Sequence, residues 1–285
     1  MHELCVLATI FPANLPYFSS FLESLEKQSN RNFNLLLAND GVDQLTVKTT
    51  VPFEVLPVTG TPLMVRIQLM QEAVNRGYKK FIFSDTDDEL SDNRVEVVSR
   101  LLDRFPVVCN DLDIMDSAGI IRTPGYWKSR LMEETTITSS FLADKNCVGF
   151  GSVALTAQAF AQLRTFKSAE VLAPDWYYFY LLSQACTIAF TGSCSTRYRQ
   201  HANNTIGLGR ITSDRINFSV NVKLAHYAAI SRAGFPQVIE AEKTLQLSQR
   251  ISDNPAIVEV ALEKLKNANI NYFWWEETNF LNGAD

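Results

Sequence analysis

The sequence predicts an α/β protein with a mostly parallel central sheet, helices on both faces and a helical C-terminal extension. Three observations carry this. Apolar runs and helical periodicities alternate over the first 110 residues; the run Phe81-Ile-Phe-Ser-Asp-Thr-Asp-Asp88 is a strand that ends in three carboxylates; and strand signals stop after Ile211.

The elements follow in order. Leu4–Ile10 is a continuous apolar run, the pattern of a strand covered on both sides. Phe18, Phe21, Leu22 and Leu25 then recur at helical spacing. Phe33–Ala38 and Phe53–Val58 are the second and third strands, and Leu63, Ile67, Met70 and Val74 mark a helix before the fourth strand, Lys80–Ser84. Val95, Val98 and Leu102 mark the next helix, with Ser91-Asp-Asn as its cap. Such βαβ alternation predicts parallel strands with right-handed crossovers, and ligands in open α/β sheets lie beyond the carboxyl ends of the strands. Functional residues are therefore expected after the first, second and fourth strands, where Thr9-Ile-Phe11, Asn39-Asp40-Gly41 and Asp85–Asp88 stand.

Further along, Pro106–Asn110 predicts a strand, Ile114–Ile121 a hairpin around Ser117–Gly119, and Val148–Ser152 a strand or loop. Tyr126, Trp127 and Lys128 leave two readings open, contact with a sugar ring or a small satellite core. Ala189–Tyr198 is a late strand. Phe218, Val222, Ala225 and Ala229, then Val238–Ile251 and Ile257–Leu265, carry helical spacing.

Composition removes several function classes. The chain has 285 residues, 46% hydrophobic, enough for a full core. A net charge of −5 without a basic stripe argues against a general nucleic-acid binder. Cys5, Cys109, Cys147, Cys186 and Cys194 are odd in number and contain no CxxC pair, so neither a disulfide framework nor a zinc site is expected, and a reducing cytoplasm fits. No window approaches the roughly 18 apolar residues of a membrane span, and no signal peptide opens the chain.

Three carboxylates within four residues at a strand end are electrostatically costly unless a positive group is nearby. A hard divalent cation takes one or two carboxylates plus phosphate oxygens, so Asp85, Asp87 and Asp88 suit a metal-diphosphate complex. The alternative is a solvated acidic turn before the next helix. There is no GxxxxGK[ST] and no GxGxxG after the first strand, which disfavours a P-loop enzyme or a dinucleotide dehydrogenase.

Taken together, Thr9-x-Phe11, Leu35-Leu-Leu-Ala-Asn-Asp-Gly41, Phe83-Ser-Asp-Thr-Asp-Asp88, Pro174-Asp-Trp176 and Tyr198-Arg-Gln-His201 resemble glycosyltransferase family 2, of the GT-A fold. The resemblance spans roughly residues 4–206. It implies that Thr9 and Phe11 flank the nucleobase, that Asp40 accepts a hydrogen bond from it, and that Asp85 and Asp87 hold ribose and diphosphate with Arg66 and Arg199. It implies Asp87, Asp88 and His201 as ligands of Mn²⁺ or Mg²⁺, and Asp175 as the base that deprotonates the acceptor hydroxyl. The chain departs from the family at Asn39, Val42, Ile67 and Pro174, where an acid, a serine, an asparagine and a glutamate are usual.

The resemblance further implies inverting transfer from a nucleotide-sugar donor, UDP-linked by preference, to a glycan or lipid-linked acceptor in surface polysaccharide assembly, in the cytoplasm or at the inner membrane face. The expected division is a catalytic domain over 1–208, with a nucleotide half 1–110 and an acceptor half 111–208, and a helical extension over 209–285. The extension's Phe273-Trp-Trp275 leaves open peripheral membrane association, a homo-oligomer contact or packing on the domain. Two other functions stay open: a catalytically silent nucleotide-sugar-binding or scaffold protein, and a sugar-phosphate nucleotidyltransferase. The last predicts a glycine-rich first loop that is absent after Ile10.

Overall fold

The computed structural model describes residues 3–131, 135–165, 171–201, 204, 212–235 and 239–268. They fall into two compact units, one of Met1–Thr138, Val148–Thr165 and Leu182–Asn203, the other of Ser139–Cys147, Phe166–Leu181 and Asn204–Asp285. Phe273–Trp275 and the stretch 205–211 lie outside the described residues.

In chain order the elements are β1 (Leu4–Ile10), a 3-10 turn at Pro12–Tyr17, α1 (Phe18–Glu26), β2 (Asn34–Asn39), β3 (Phe53–Pro57), α2 (Pro62–Asn75) and β4 (Lys80–Asp85). Next come β5 (Glu89–Leu90), α3 (Arg94–Leu101), β6 (Val107–Met115), β7 (Ile121–Thr123), β8 (Thr136–Ile137), α4 (Ser139–Leu142), β9 (Val153–Thr156), α5 (Ala157–Leu163), α6 (Pro174–Ala185) and β10 (Ile188–Arg199). The helices α7 (Ser213–Arg232), α8 (Ile239–Asp253) and α9 (Ala256–Ala268) follow.

All described strands join one ten-stranded sheet in the first unit, ordered β3-β2-β1-β4-β9-β6-β10-β5, with β7 on β6 and β8 on β10. β3, β2, β1 and β4 pair in parallel, and β6 pairs in parallel with β10. Because β9 is antiparallel to both β4 and β6, the two parallel groups run the same way. The longer strands thus share one direction, and β5, β7, β8 and β9, none longer than four residues, oppose it. The mostly parallel α/β architecture expected from the alternation is the one observed.

The pleat explains the layers. Leu4, Val6, Ala8 and Ile10 of β1 join Phe18, Phe21, Leu22 and Leu25 of α1 and Val95, Val98 and Leu101 of α3 in one core cluster. Alternation sends Cys5 and Leu7 to the opposite face, where α2 packs on β1 and β2. Each fully buried Phe or Leu there contributes about 1.5–3 kcal/mol. Thr61 caps α2 through its side chain, with Pro62 in the first turn, so the entry of α2 is fixed next to the sheet.

Three local expectations are settled here. Val148–Ser152 is not a strand: Phe150–Ser152 forms a 3-10 turn, and the strand begins at Val153. Tyr126 and Trp127 are buried and pack edge to face, so they are core, whereas Lys128 is exposed. The hairpin is present, with Met115 paired to Ile121 across a turn in which Gly119 has φ +84°.

In the second unit, Ile216, Val220, Leu247, Val258, Ala261 and Leu262 form the core of α7, α8 and α9. No helix among the described residues is long and apolar enough to cross a membrane.

Candidate active site

The sheet register brings the strand ends together. Thr9 of β1 lies opposite Asp85 of β4, and Ile10 lies opposite Asn39 of β2. Three of the sequence segments singled out above therefore meet at one edge. Phe11, directly after β1, is 40% exposed, unusual for a phenylalanine beside a buried strand. Asp40 donates its backbone N–H to the Ile10 carbonyl at 2.9 Å, which ties the second segment to the first. Gly41, with φ +83°, turns the chain there.

Asn39 closes the turn after β2. Its Nδ2 donates to the Val42 carbonyl and its Oδ1 accepts the Val42 N–H, both at 2.9 Å. The amide is spent closing its own turn, and Val42 is buried.

The carboxylates beyond β4 occupy three different settings. Asp85 pairs with Arg66 of α2, Nη2 to Oδ1 at 2.7 Å, and the guanidinium also lies 5.3 Å from the centre of the Phe150 ring. Arg66 is thus not a lone surface arginine; its side chain is 22% exposed. Asp87 accepts from Asn14 Nδ2 at 3.0 Å and meets His201 Nε2 at 2.9 Å. Thr86 between them donates to the Thr9 carbonyl, locking the turn to β1. Asp88 accepts the Arg199 backbone N–H on Oδ1 at 2.8 Å, while its Oδ2 is buried and has no hydrogen-bond partner.

These settings have electrostatic consequences. Burial, then the charge of Asp85, raises the Asp87 carboxyl above the usual range, opposed by His201. Burial pushes Asp88 well above it, reinforced by Asp87 and Asp85. Burial first, and then the neighbouring carboxylates, favour the neutral form of Asp87 and Asp88.

His201 and Arg199 close the site from the end of β10. The His201 ring stacks on Tyr17, 4.8 Å between centroids. Arg199 is buried: Nε donates to the Asp87 carbonyl at 2.8 Å, Nη2 to Glu89 Oε1 at 2.7 Å and to Ser20 Oγ at 3.1 Å, and the guanidinium lies 4.9 Å from the Tyr17 ring centre. Arg199 therefore holds the turn from within the protein and is not displayed at the surface.

The proposed metal ligands can be tested against this arrangement. Among the described residues no group of three His, Cys, Asp or Glu side chains is disposed to hold an ion. His201 Nε2 and Asp87 Oδ2 meet each other at 2.9 Å beside Asp88. The orphaned Oδ2 of Asp88 does fit a cation. Asp85 Oδ2 converges with it: a Cβ placed on Gly151 would lie 2.9 Å from Asp85 Oδ2 and 3.5 Å from Asp88 Oδ2. Two hard oxygens facing one glycine suit Mg²⁺ or Mn²⁺ completed by phosphate oxygens.

Asn14, Glu89, Gly151 and Tyr17 were not singled out in the sequence. None carries a local motif; each is recruited by strand pairing or by the turn after β1.

A separate open cleft of ≈ 600 Å³ beside Gly192–Ser195 of β10 includes Ser91, Asp111, Asp113 and Lys128 and shares none of the carboxylates above. Its acids are already used: Asp111 accepts the backbone N–H groups of Leu112, Trp127 and Lys128, and Asp113 those of Gly125 and the Ser195 hydroxyl.

No protein-family model matches the chain, and no curated protein matches it. Among solved structures it is similar to S. aureus TarS 1–349, with 15% identity, a TM-score of 0.58, and 92% of this chain and 76% of that one covered. The same protein in complex with UDP gives 13% identity, a TM-score of 0.59, and coverage of 93% and 77%; in complex with UDP-GlcNAc, 14%, 0.58, and 99% and 81%. The fold is GT-A-like. With that fold, the carboxylates after β4 stand at the carboxyl edge of the parallel strands, where α/β sheets take their ligands.

Asp175 lies in the second unit, in the first turn of α6, where its Oδ1 accepts from the Trp176 N–H at 2.9 Å and from Asn146 Nδ2 at 3.2 Å. Trp176 is core: it is buried, stacks on His226 at 3.6 Å and donates its indole N–H to the Leu142 carbonyl.

Proposed function

We propose that the chain is a glycosyltransferase that moves a sugar from a nucleotide diphosphate donor, a UDP-sugar, to a hydroxyl of a glycan or lipid-linked acceptor. The observation that carries the reading is Asp88 Oδ2, buried and unpartnered beside Asp85 and its Arg66, beyond a parallel strand of a GT-A-like sheet. A hydrolase would leave that uncompensated cluster unexplained, whereas a diphosphate with its cation satisfies it.

Each residue then has a role. Phe11 stacks on the base, and Asp40 accepts a hydrogen bond from it. Arg66 turns from Asp85 to the diphosphate, matching its planar fork to phosphate oxygens. Asp85 and Asp88 hold Mn²⁺ or Mg²⁺, which when bound stabilises the negative charge that develops on the leaving diphosphate. The Asp175 carboxylate takes the proton of the acceptor hydroxyl as its oxygen bonds to the anomeric carbon and the bond to the diphosphate breaks, giving inversion. The first 208 residues carry these roles in this reading, and 209–285 extend them.

A second reading, nucleotide-sugar binding without turnover, draws support from Asn39, whose amide closes on Val42. Turnover separates the two. Nucleotide release from a panel of nucleotide sugars with a glycan acceptor is expected for the wild type and lost in Asp175→Asn, which still binds donor. Full activity in Asp175→Asn would refute the base assignment, and donor binding with no turnover at all would favour the silent protein.

A further inference from the structure

Behind the carboxylates sits a cation that no motif marks. Arg94, the first residue of α3, is fully buried. Its Nε donates to Asn110 Oδ1 at 2.7 Å, and Nη2 donates to the Phe83 carbonyl at 2.8 Å and to the Gly151 carbonyl at 3.3 Å. Its Nη1 has no hydrogen-bond partner. The Asn110 amide donates in turn to Thr196 Oγ1 at 3.0 Å, and that hydroxyl donates to the same Gly151 carbonyl at 3.2 Å. One network thus ties α3, β6 and β10 to β4 two residues before Asp85 and to Gly151.

Gly151 is the residue against which Asp85 and Asp88 are set, with no room for a Cβ on the Asp85 side. A buried guanidinium costs several kcal/mol in desolvation, so a fold that keeps one needs nearby negative charge to hold it. Burial draws Arg94 down to about 10, and the neighbouring Cys194, Asp88 and Asp85 oppose that shift. The reciprocal effect acts on Asp88, where Arg94 favours the ionised form.

We infer that Arg94 is a positioning residue for the cation and diphosphate: it fixes the Gly151 carbonyl and the end of β4, and so the setting in which Asp85 and Asp88 receive a divalent ion. The inference rests on the function proposed above. It makes the Arg94–Asn110–Thr196–Gly151 network part of the binding apparatus, although Arg94 touches neither ligand.

The test is calorimetric titration of UDP, with Mn²⁺ and separately with EDTA, into wild type, Arg94→Met, Arg94→Lys and Thr196→Val. Arg94→Met should weaken Mn²⁺-dependent UDP binding at least tenfold, and Arg94→Lys should restore part of the loss. If Arg94→Met is folded, with its melting temperature near that of the wild type, and keeps the wild-type response to Mn²⁺, the inference is overturned. If Arg94→Met does not fold, Thr196→Val, which removes the hydroxyl that joins Asn110 to the Gly151 carbonyl, decides: a loss of Mn²⁺-dependent binding supports the network, and wild-type binding overturns it. A wild type that binds no UDP with Mn²⁺ would instead overturn the functional reading, and the inference with it.

Discussion

Asp88 receives the Arg199 backbone N–H on one carboxylate oxygen at 2.8 Å and leaves the other buried with no partner. The bond fixes the orientation of the carboxylate, so the unpartnered oxygen points to one place. A buried acceptor left unsatisfied costs about 1–3 kcal/mol, more when charged.

That cost gives the first prediction. Asp88→Asn keeps an oxygen for the Arg199 amide and removes one of three crowded charges. Without metal the variant should melt about 2–4 °C higher than the wild type near pH 7, the equivalent of about 1 kcal/mol in a domain of this size. It should also lose any rise in melting temperature on adding Mn²⁺ with UDP. Scanning calorimetry of both proteins with EDTA and with Mn²⁺ checks it; a destabilised apo variant would contradict the picture of excess charge.

Arg66 is predicted to serve binding more than folding. Its ion pair with Asp85 is partly exposed, so Arg66→Met should cost less than about 1 kcal/mol of stability. Loss of charge-assisted bonds to phosphate, about 1.5–3 kcal/mol, should weaken UDP roughly 10–100-fold and leave uridine binding, which has no phosphate, unchanged. Equal losses for UDP and uridine would place Arg66 away from the diphosphate.

The sequence showed much of this site and concealed the rest for physical reasons. Leu4–Ile10 and Phe81–Asp85 read clearly because strands covered on both faces are continuous apolar runs, and the carboxylates at their ends stand out against them. β9 was invisible as a strand, being four residues long and antiparallel among parallel neighbours. Ser91-Asp-Asn looked like a helix cap, and Asn93 does hold the cap position. Yet it makes no capping bond with its side chain, which donates to the Ser193 carbonyl. Arg94, in that same polar stretch, belongs to no motif; the approach of β6 and the Gly151 turn, distant in sequence, buries it. The same limit hides a contact: the motifs name Asp87 and His201 separately, and only side-chain geometry shows them bonded to each other.

Phe11 should matter to the base alone. Stacking on a nucleobase is worth about 1–3 kcal/mol by alanine substitution, so Phe11→Ala should weaken UDP roughly 5- to 150-fold. Because the ring is 40% exposed, the melting temperature should change little. Titration with UDP and with inorganic diphosphate separates the effects: only UDP should weaken, and a loss shared by both would exclude stacking.

The second unit should be acid-sensitive through His226. Burial, aided by the Lys223 charge, lowers its pKa to about 3, against about 6.5 in an unfolded chain, and neither ring nitrogen has a hydrogen-bond partner. The unfolded state therefore binds the proton first, and stability falls as pH drops from about 6.5 towards about 3. By pH 5.5 the loss is on the order of 1 kcal/mol. His226→Phe keeps the stack on Trp176 and should narrow the gap in melting temperature between pH 7.5 and pH 5.5; an unchanged gap would show that His226 is not the titrating group.

The central claim is that Asp88 anchors a cation on which a nucleotide diphosphate is held. Calorimetric titration of UDP, GDP and dTDP with Mn²⁺ and with EDTA, on wild type and Asp88→Ala, tests it most directly. The account predicts micromolar binding of UDP that requires Mn²⁺ and disappears in Asp88→Ala. Binding of none of the three nucleotides, or UDP binding indifferent to both Mn²⁺ and Asp88, would contradict it.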